Sequence, residues 1–199
     1  MKECQLNGNE WAYNISMALT YSSMLDLDTD LISFNLPNVI DGNNFSDNDL
    51  NSSKPSLIMF ICNHCPYVIH YHEQIQQLVD DFEDSINLVA ISSNDIVNYP
   101  QDRPEMMKDL WKDLDLKFPY LFDETQEIAK KYKAECTPEF YLFNKNLKLV
   151  YRGRMDESSP GSSIKPSGED LRNAINNLLT NKKISSKQLP SMGCNIKWK

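Results

Sequence analysis

The chain has 199 residues, a formal net charge of −8 and five cysteines. That length suits one domain with a well-buried core, and the acidic balance argues against a nucleic-acid partner, which needs a basic face to meet phosphates. No stretch approaches the ~18 consecutive apolar residues of a membrane span and the opening MKECQLNGNEWAYNISMALTYSSM has no signal-peptide apolar run, so the expectation is a cytoplasmic protein without membrane contact, its odd cysteine count fitting a reducing compartment.

In chain order, residues 30–55 carry turn chemistry around short apolar pieces, with Asp41-Gly42 predicting a hairpin. One domain over 1–199 is expected, with 1–54 as an N-terminal extension, 55–180 as the core and 181–199 as a basic tail. SLIMFI (56–61) is an apolar run of strand length, after which Val68, Ile75, Leu78, Val79 and Phe82 recur at helical spacing. INLVAI (86–91) is the next buried strand. The loop SNDIVNYPQDR leads to a helix opening at Pro104, a position that tolerates a missing N–H. FPYLFD reads as a short strand and ETQEIAKKYK as a short helix. EFYLFN and LKLVYRG are two strands joined at Lys145-Asn146. Ser167 with Asp170 predicts a capping box for the last helix, GEDLRNAINNLLT. Strands alternating with helices before a closing hairpin imply an α/β fold, a central mixed sheet with helices on both faces.

From Thr180 onward there are five lysines and no acidic residue. Ile196 and Trp198 sit among them, and burying each would recover roughly 1.5–3 kcal/mol. Apolar area and opposite charge together predict that the tail packs back on the acidic body. Whether Cys194 then reaches the other cysteines is a separate expectation.

Chemistry concentrates in FICNHCPYV (60–68). A cysteine at a strand-to-helix junction would face the unpaired N–H groups of a helix start, which favour its thiolate. Cys62 is therefore expected to be the nucleophile and Cys65, one turn in, the resolving thiol. His64 between them is a candidate donor or cation beside Cys62. Inert buried thiols are the bland alternative, disfavoured by a CxxC at such a junction. A metal site fits poorly. His72 lies roughly 10 Å along a helix from Cys65, whereas zinc ligands sit about 2.0–2.3 Å from the ion, and a zinc or iron–sulfur centre would need Cys136 and Cys194 as well. No metal or organic cofactor is expected. His70 and His72 are read as surface residues, Arg152 and Arg154 as surface charges, and Cys4, in a polar terminus, is given no role.

A strand, a CxxC at a helix start and, much later, Thr137-Pro138 just before another strand resemble thioredoxin-fold proteins, whose hallmark is a cis-proline opposite the CxxC. The N-terminal extension and the set MFICNHCPYV, SNDIVNYPQDRPEMM, FPYLFDETQEIAKKY, CTPEFYLF, YRGRMD and GCNIKWK are similar to the redoxin branch, which holds peroxiredoxins of the alkyl hydroperoxide reductase/thiol-specific antioxidant type and TlpA-like thiol-disulfide oxidoreductases. The resemblance implies a thioredoxin-like fold, Cys62 as attacking thiol, Cys65 as resolving thiol and Pro138 as the cis-proline, with Thr137 beside it. It also implies a protein or small-molecule disulfide as substrate and a thiol reductant as partner. Cys136 and Cys194 are candidate accessory redox thiols. Two departures matter. SLIMFI lacks the buried acid of thioredoxins, leaving the proton acceptor for Cys65 to water or a residue such as Glu135. The peroxiredoxin pattern P-x-x-x-[TS]-x-x-C fails as well, since Met59 stands where a hydroxyl is required. A thiol-dependent peroxidase is thus the second reading, and a redox sensor or binding module the third.

Overall fold

The computed structural model describes residues 19–199, so Cys4 lies outside it. The strand β1 (Leu19–Tyr21) opens the described chain, followed by the hairpin β2 (Asn35–Pro37) and β3 (Asn44–Ser46) around Gly42, whose φ of +80° suits a residue without a Cβ. Next come β4 (Ser56–Phe60), α1 (Pro66–His70), α2 (His72–Phe82), β5 (Asn87–Ser92), α3 (Pro104–Asp113), β6 (Tyr120–Phe122) and α4 (Glu127–Tyr132). The chain closes with β7 (Cys136–Thr137), β8 (Glu139–Phe143), β9 (Leu149–Gly153), α5 (Glu169–Leu179) and β10 (Met192–Asn195).

The main sheet runs β6-β5-β4-β8-β9, with β4 parallel to β5, β5 parallel to β6, and β4–β8 and β8–β9 antiparallel. All of β4 is buried because it is central, with both faces covered, which is why its apolar residues run unbroken. Alternate residues serve opposite faces. Leu57 and Met59 pack with Val68, Ile75 and Leu78 of α1 and α2, Trp111 of α3, and Leu171 and Ile175 of α5. Ile58 and Phe60 pack with Ile128 and Tyr132 of α4, and with Leu25, Phe34 and Leu36 from the N-terminal segment. One face is thus covered by α1, α2, α3 and α5, and the other by α4 with extended chain. The N-terminal segment is part of the core. Among the described residues, no helix is long and apolar enough to cross a membrane.

Four local expectations are corrected. A single helix after the CxxC was expected; it breaks at Tyr71 (φ −104°, ψ 6°), whose hydroxyl is held by Asp156 and the carbonyl of Ser158. The capping box on α5 does not form. Asp156 instead accepts the N–H groups of Ser167 and Gly168, each at 2.7 Å, while Asp170 pairs with Arg154 at 2.7 Å. Arg152 is likewise no free surface charge: its Nε donates to the carbonyl of Leu25 at 2.6 Å. Finally, His70 and His72 are half-buried, His70 meeting Ser158 Oγ at 2.8 Å.

The tail does pack back. β10 lies between β1 and β7 in a small antiparallel sheet, with Cys194 opposite Thr137 and Asn195 opposite Cys136. Ile196 is buried, as expected, but Trp198 is 39% exposed beneath the Lys130 ammonium, and Lys197 is buried in its place. Lys197 fits because its backbone is held from three sides: its N–H by Asn94, its carbonyl by the backbone of Asp95 and by Gln126.

Candidate active site

The segment after β4 carries Cys62 and Cys65, both fully buried and neither in a disulfide. α1 begins at Pro66, not at Cys62. Cys65 is the N-cap residue, in extended conformation, and its carbonyl accepts the N–H groups of Val68 and Ile69. The helix-start argument for Cys62 is therefore corrected: the helix is only five residues long and starts four residues later.

Opposite the cysteines stands Thr137-Pro138, whose peptide bond is cis as predicted. The Cys65 thiol donates to the Thr137 carbonyl at 3.2 Å, and the Cys62 sulfur lies 3.3 Å from the Thr137 hydroxyl. One residue thus touches both sulfurs, with different atoms. Cys194, across the ladder from Thr137, hydrogen-bonds to Cys65. Cys65 is the middle of three thiols.

The charge distribution follows. Hydrogen bonds from Cys194 and Cys62 hold Cys65 well below the ordinary thiol range. Burial, the hydrogen bond to Cys65 and the Asp102 carboxylate push Cys62 up. These two directions run opposite to the order expected from a helix start at Cys62. The two sulfurs share a hydrogen bond.

A buried polar cluster adjoins Cys62. Asp102, fully buried, sits on a single 3₁₀ turn (Pro100–Asp102) and accepts from the backbone N–H of Asn63 at 2.8 Å, from Asn94 Nδ2 at 2.8 Å and from His64 Nδ1 at 2.6 Å. Three donors are what a carboxylate removed from water needs. The His64 ring stacks on Tyr99 at 5.4 Å between centroids, and its Nε2 is buried with no hydrogen-bond partner among the described residues. The Cys62 sulfur, a His64 nitrogen and an Asp102 oxygen lie within 4.8 Å of one another. By ligand type this trio could hold a metal ion, but Nδ1 and the carboxylate already satisfy each other. The set is arranged to orient an imidazole beside a thiol.

Other predicted residues fall elsewhere. The Cys136 sulfur points to Glu139 at 3.8 Å, and burial pushes this thiol up. Side chains alternate along β7, so Cys136 turns away from the thiol trio. Glu135 is half-buried, and it is its backbone N–H that acts, donating to Glu139 at 2.9 Å. Glu139 itself is buried, bound by the hydroxyls of Ser22 and Tyr141 and by the Glu135 and Cys136 N–H groups. Both acids are visible in the sequence only as residues, without a sign of what they meet. Asp102 is the acid inside the proline-bounded YPQDRP, and Glu139 is a lone acid opening the apolar strand EFYLF. A cleft of about 270 Å³, lined by Tyr21, Tyr71, Pro138, Arg154, Ser191 and Met192, opens beside the cis-proline.

The sequence profile of the AhpC/TSA family matches residues 27–152. The chain belongs to the AhpC/TSA family. This AhpC/TSA chain is also similar to an uncharacterized conserved protein from Geobacillus kaustophilus, at 46% identity and a TM-score of 0.90 over 93% of this chain and 98% of that one. A hypothetical protein from Sinorhizobium meliloti is 37% identical, with a TM-score of 0.87 over 90% of this chain and 98% of that one. A secreted disulfide oxidoreductase of Mycobacterium tuberculosis shares the fold, with a TM-score of 0.56 at 16% identity over 73% of this chain and 96% of that one. No curated protein matches. The family places the chain in the redoxin branch of the thioredoxin fold.

Proposed function

We propose that the protein is a thiol-disulfide oxidoreductase in which Cys62 and Cys65 form a dithiol/disulfide pair. The observation that carries this reading is the contact of both sulfurs with Thr137, directly before the cis-proline. Thiolate character on the pair is what makes such a dithiol reactive. Cys62 attacks a sulfur of the substrate disulfide, forming a mixed disulfide and expelling the first substrate thiolate. Cys65 then attacks the Cys62 sulfur, closing the Cys62–Cys65 bridge and releasing the second. His64, held in one tautomer by Asp102, presents Nε2 for the proton that Cys62 loses or the leaving thiolate gains. The partners are a protein or small-molecule disulfide and an external thiol reductant. A cytoplasmic location suits such a chemistry, the compartment being rich in thiol reductants.

Reduction of insulin disulfides by the protein in the presence of dithiothreitol tests the reading. Turnover above the dithiothreitol background, lost in Cys62→Ser, supports it; wild-type rates equal to background would overturn it.

One observation favours peroxidase chemistry as a second reading. The hydroxyl missing at Met59 is supplied in space by Thr137, 3.3 Å from the Cys62 sulfur. Consumption of hydrogen peroxide dependent on both Cys62 and Thr137, with no insulin reduction, would favour it.

A further inference from the structure

Cys65 has a hydrogen-bonding thiol on each side, Cys62 and Cys194. The placement of Cys194 is built in. β10 sets it opposite Thr137, the residue that also contacts Cys62 and Cys65. The preceding Gly193 lies so close to β7 that a Cβ there would stand 2.0 Å from the Thr137 carbonyl oxygen, so only glycine allows this approach. Beyond Cys194 the chain is locked through Lys197 by Asn94, Asp95 and Gln126. Asn94 holds the Lys197 N–H with its oxygen and Asp102 with its nitrogen, so one amide joins the tail to the carboxylate beside Cys62.

We propose that Cys194 is a third redox thiol, which exchanges with the Cys62–Cys65 disulfide so that the bridge moves to Cys65–Cys194 and Cys62 is set free. The proposal deepens the dithiol reading and rests on it for its starting disulfide. The Cys194 thiolate attacks the Cys65 sulfur; the Cys65–Cys194 bond forms, the Cys62–Cys65 bond breaks, and the electron pair leaves on Cys62. The proton released by Cys194 ends on Cys62. One disulfide is consumed and one is made, so no outside oxidant is required.

The timing follows from the hydrogen bond between Cys65 and Cys194. In the reduced protein the hydrogen bond to Cys65, then burial, push Cys194 up, while the Lys197 ammonium pulls it down. Once Cys65 is part of a disulfide it no longer forms that thiol–thiol hydrogen bond, and the largest influence raising Cys194 is gone. Cys194 becomes a better nucleophile when there is a disulfide to attack. The result is an oxidised protein with the attacking thiol free and the oxidising equivalent stored on the tail.

The test is disulfide mapping of the full chain after oxidation with diamide, blocking of free thiols, digestion and mass spectrometry. Cys62→Ser should yield the Cys65–Cys194 bridge. Oxidised wild-type protein should label at Cys62 about tenfold or more faster than oxidised Cys194→Ser, in which the Cys62–Cys65 bridge has no thiol to exchange with. Circular dichroism of each variant confirms that it is folded. Free Cys65 and Cys194 in oxidised, folded Cys62→Ser, with only the Cys62–Cys65 bridge in the wild type, would overturn the proposal while leaving the dithiol reading intact. Failure of the dithiol reading shows differently, as wild-type protein that forms no Cys62–Cys65 bridge and reduces no insulin.

Discussion

The carboxylate of Asp102 accepts a hydrogen bond from Nδ1 of His64 at 2.6 Å, across 38 residues of chain. This contact fixes the imidazole beside Cys62, and it also sets a buried negative charge near a thiol that must ionise. The carboxylate is among the causes that push Cys62 up. Asp102→Asn removes the charge and should shift the pH profile of Cys62 alkylation to lower pH, opposite to the effect of losing a simple activating base. The variant also leaves buried donors short of an acceptor, at a cost of about 1–3 kcal/mol in thermal unfolding. An unchanged alkylation profile would remove Asp102 from the electrostatics of the site.

Thr137 contacts Cys62 through its hydroxyl and Cys65 through its carbonyl. Thr137→Val keeps the shape and the carbonyl but loses the hydroxyl, and should lower insulin-reduction turnover by roughly 3- to 10-fold, the worth of one hydrogen bond of about 0.5–1.5 kcal/mol. Thr137→Ser should restore most of it. Equal loss in both variants would mean that the methyl group, not the hydroxyl, matters.

Gly193→Ala should break the β10–β7 ladder, because the new methyl would meet a backbone carbonyl that cannot move aside. Overpacking of this kind costs typically about 1–3 kcal/mol. A lower melting temperature should come with faster labelling of Cys194, since the tail lifts as one strand. A wild-type melting temperature would show that the ladder yields easily.

The acid dependence of stability should run through Asp156. Burial works against ionisation there, but hydrogen bonds from Ser158, Ser167 and Gly168 prevail and hold the carboxyl down at about 2, against an ordinary 3.8. For a depressed carboxyl the stabilisation is present above the ordinary value and disappears as pH falls through the folded one. Asp156→Asn should therefore unfold at lower temperature than wild type at neutral pH, by roughly the 1–3 kcal/mol of buried donors left short of an acceptor. The deficit should close between pH 3.8 and about 2. A deficit that stays constant with pH would show that the side chain's shape, not its charge, carries the effect.

Much of the fold was legible because its signals are local. The unbroken SLIMFI marks a strand covered on both faces, and Asp41-Gly42 closes the expected hairpin. The cysteine pair was legible from its place after an apolar strand, and the cis-proline through resemblance. Asp102 was hidden because it reaches the site from a loop, and nothing in YPQDRP says which neighbour a carboxylate will meet. β4 has no buried acid, and the buried acid one strand over, Glu139 across from Phe60, faces α4 rather than the thiols. The helix start was placed at the first cysteine because apolar spacing does not mark a boundary, and the backbone turns helical only at Pro66. Trp198 and Lys197 were exchanged for a similar reason. Hydropathy ranks the side chains, but the tail's backbone hydrogen bonds to Asn94, Asp95 and Gln126 decide which one is buried.

The central claim is that Cys62 is the sulfur that meets the substrate. Cys65→Ser should trap a mixed disulfide with a disulfide-containing substrate such as insulin, and fragmentation of the adduct should place the bond on Cys62. An adduct on Cys194, or none while Cys62 remains alkylatable, would contradict the account.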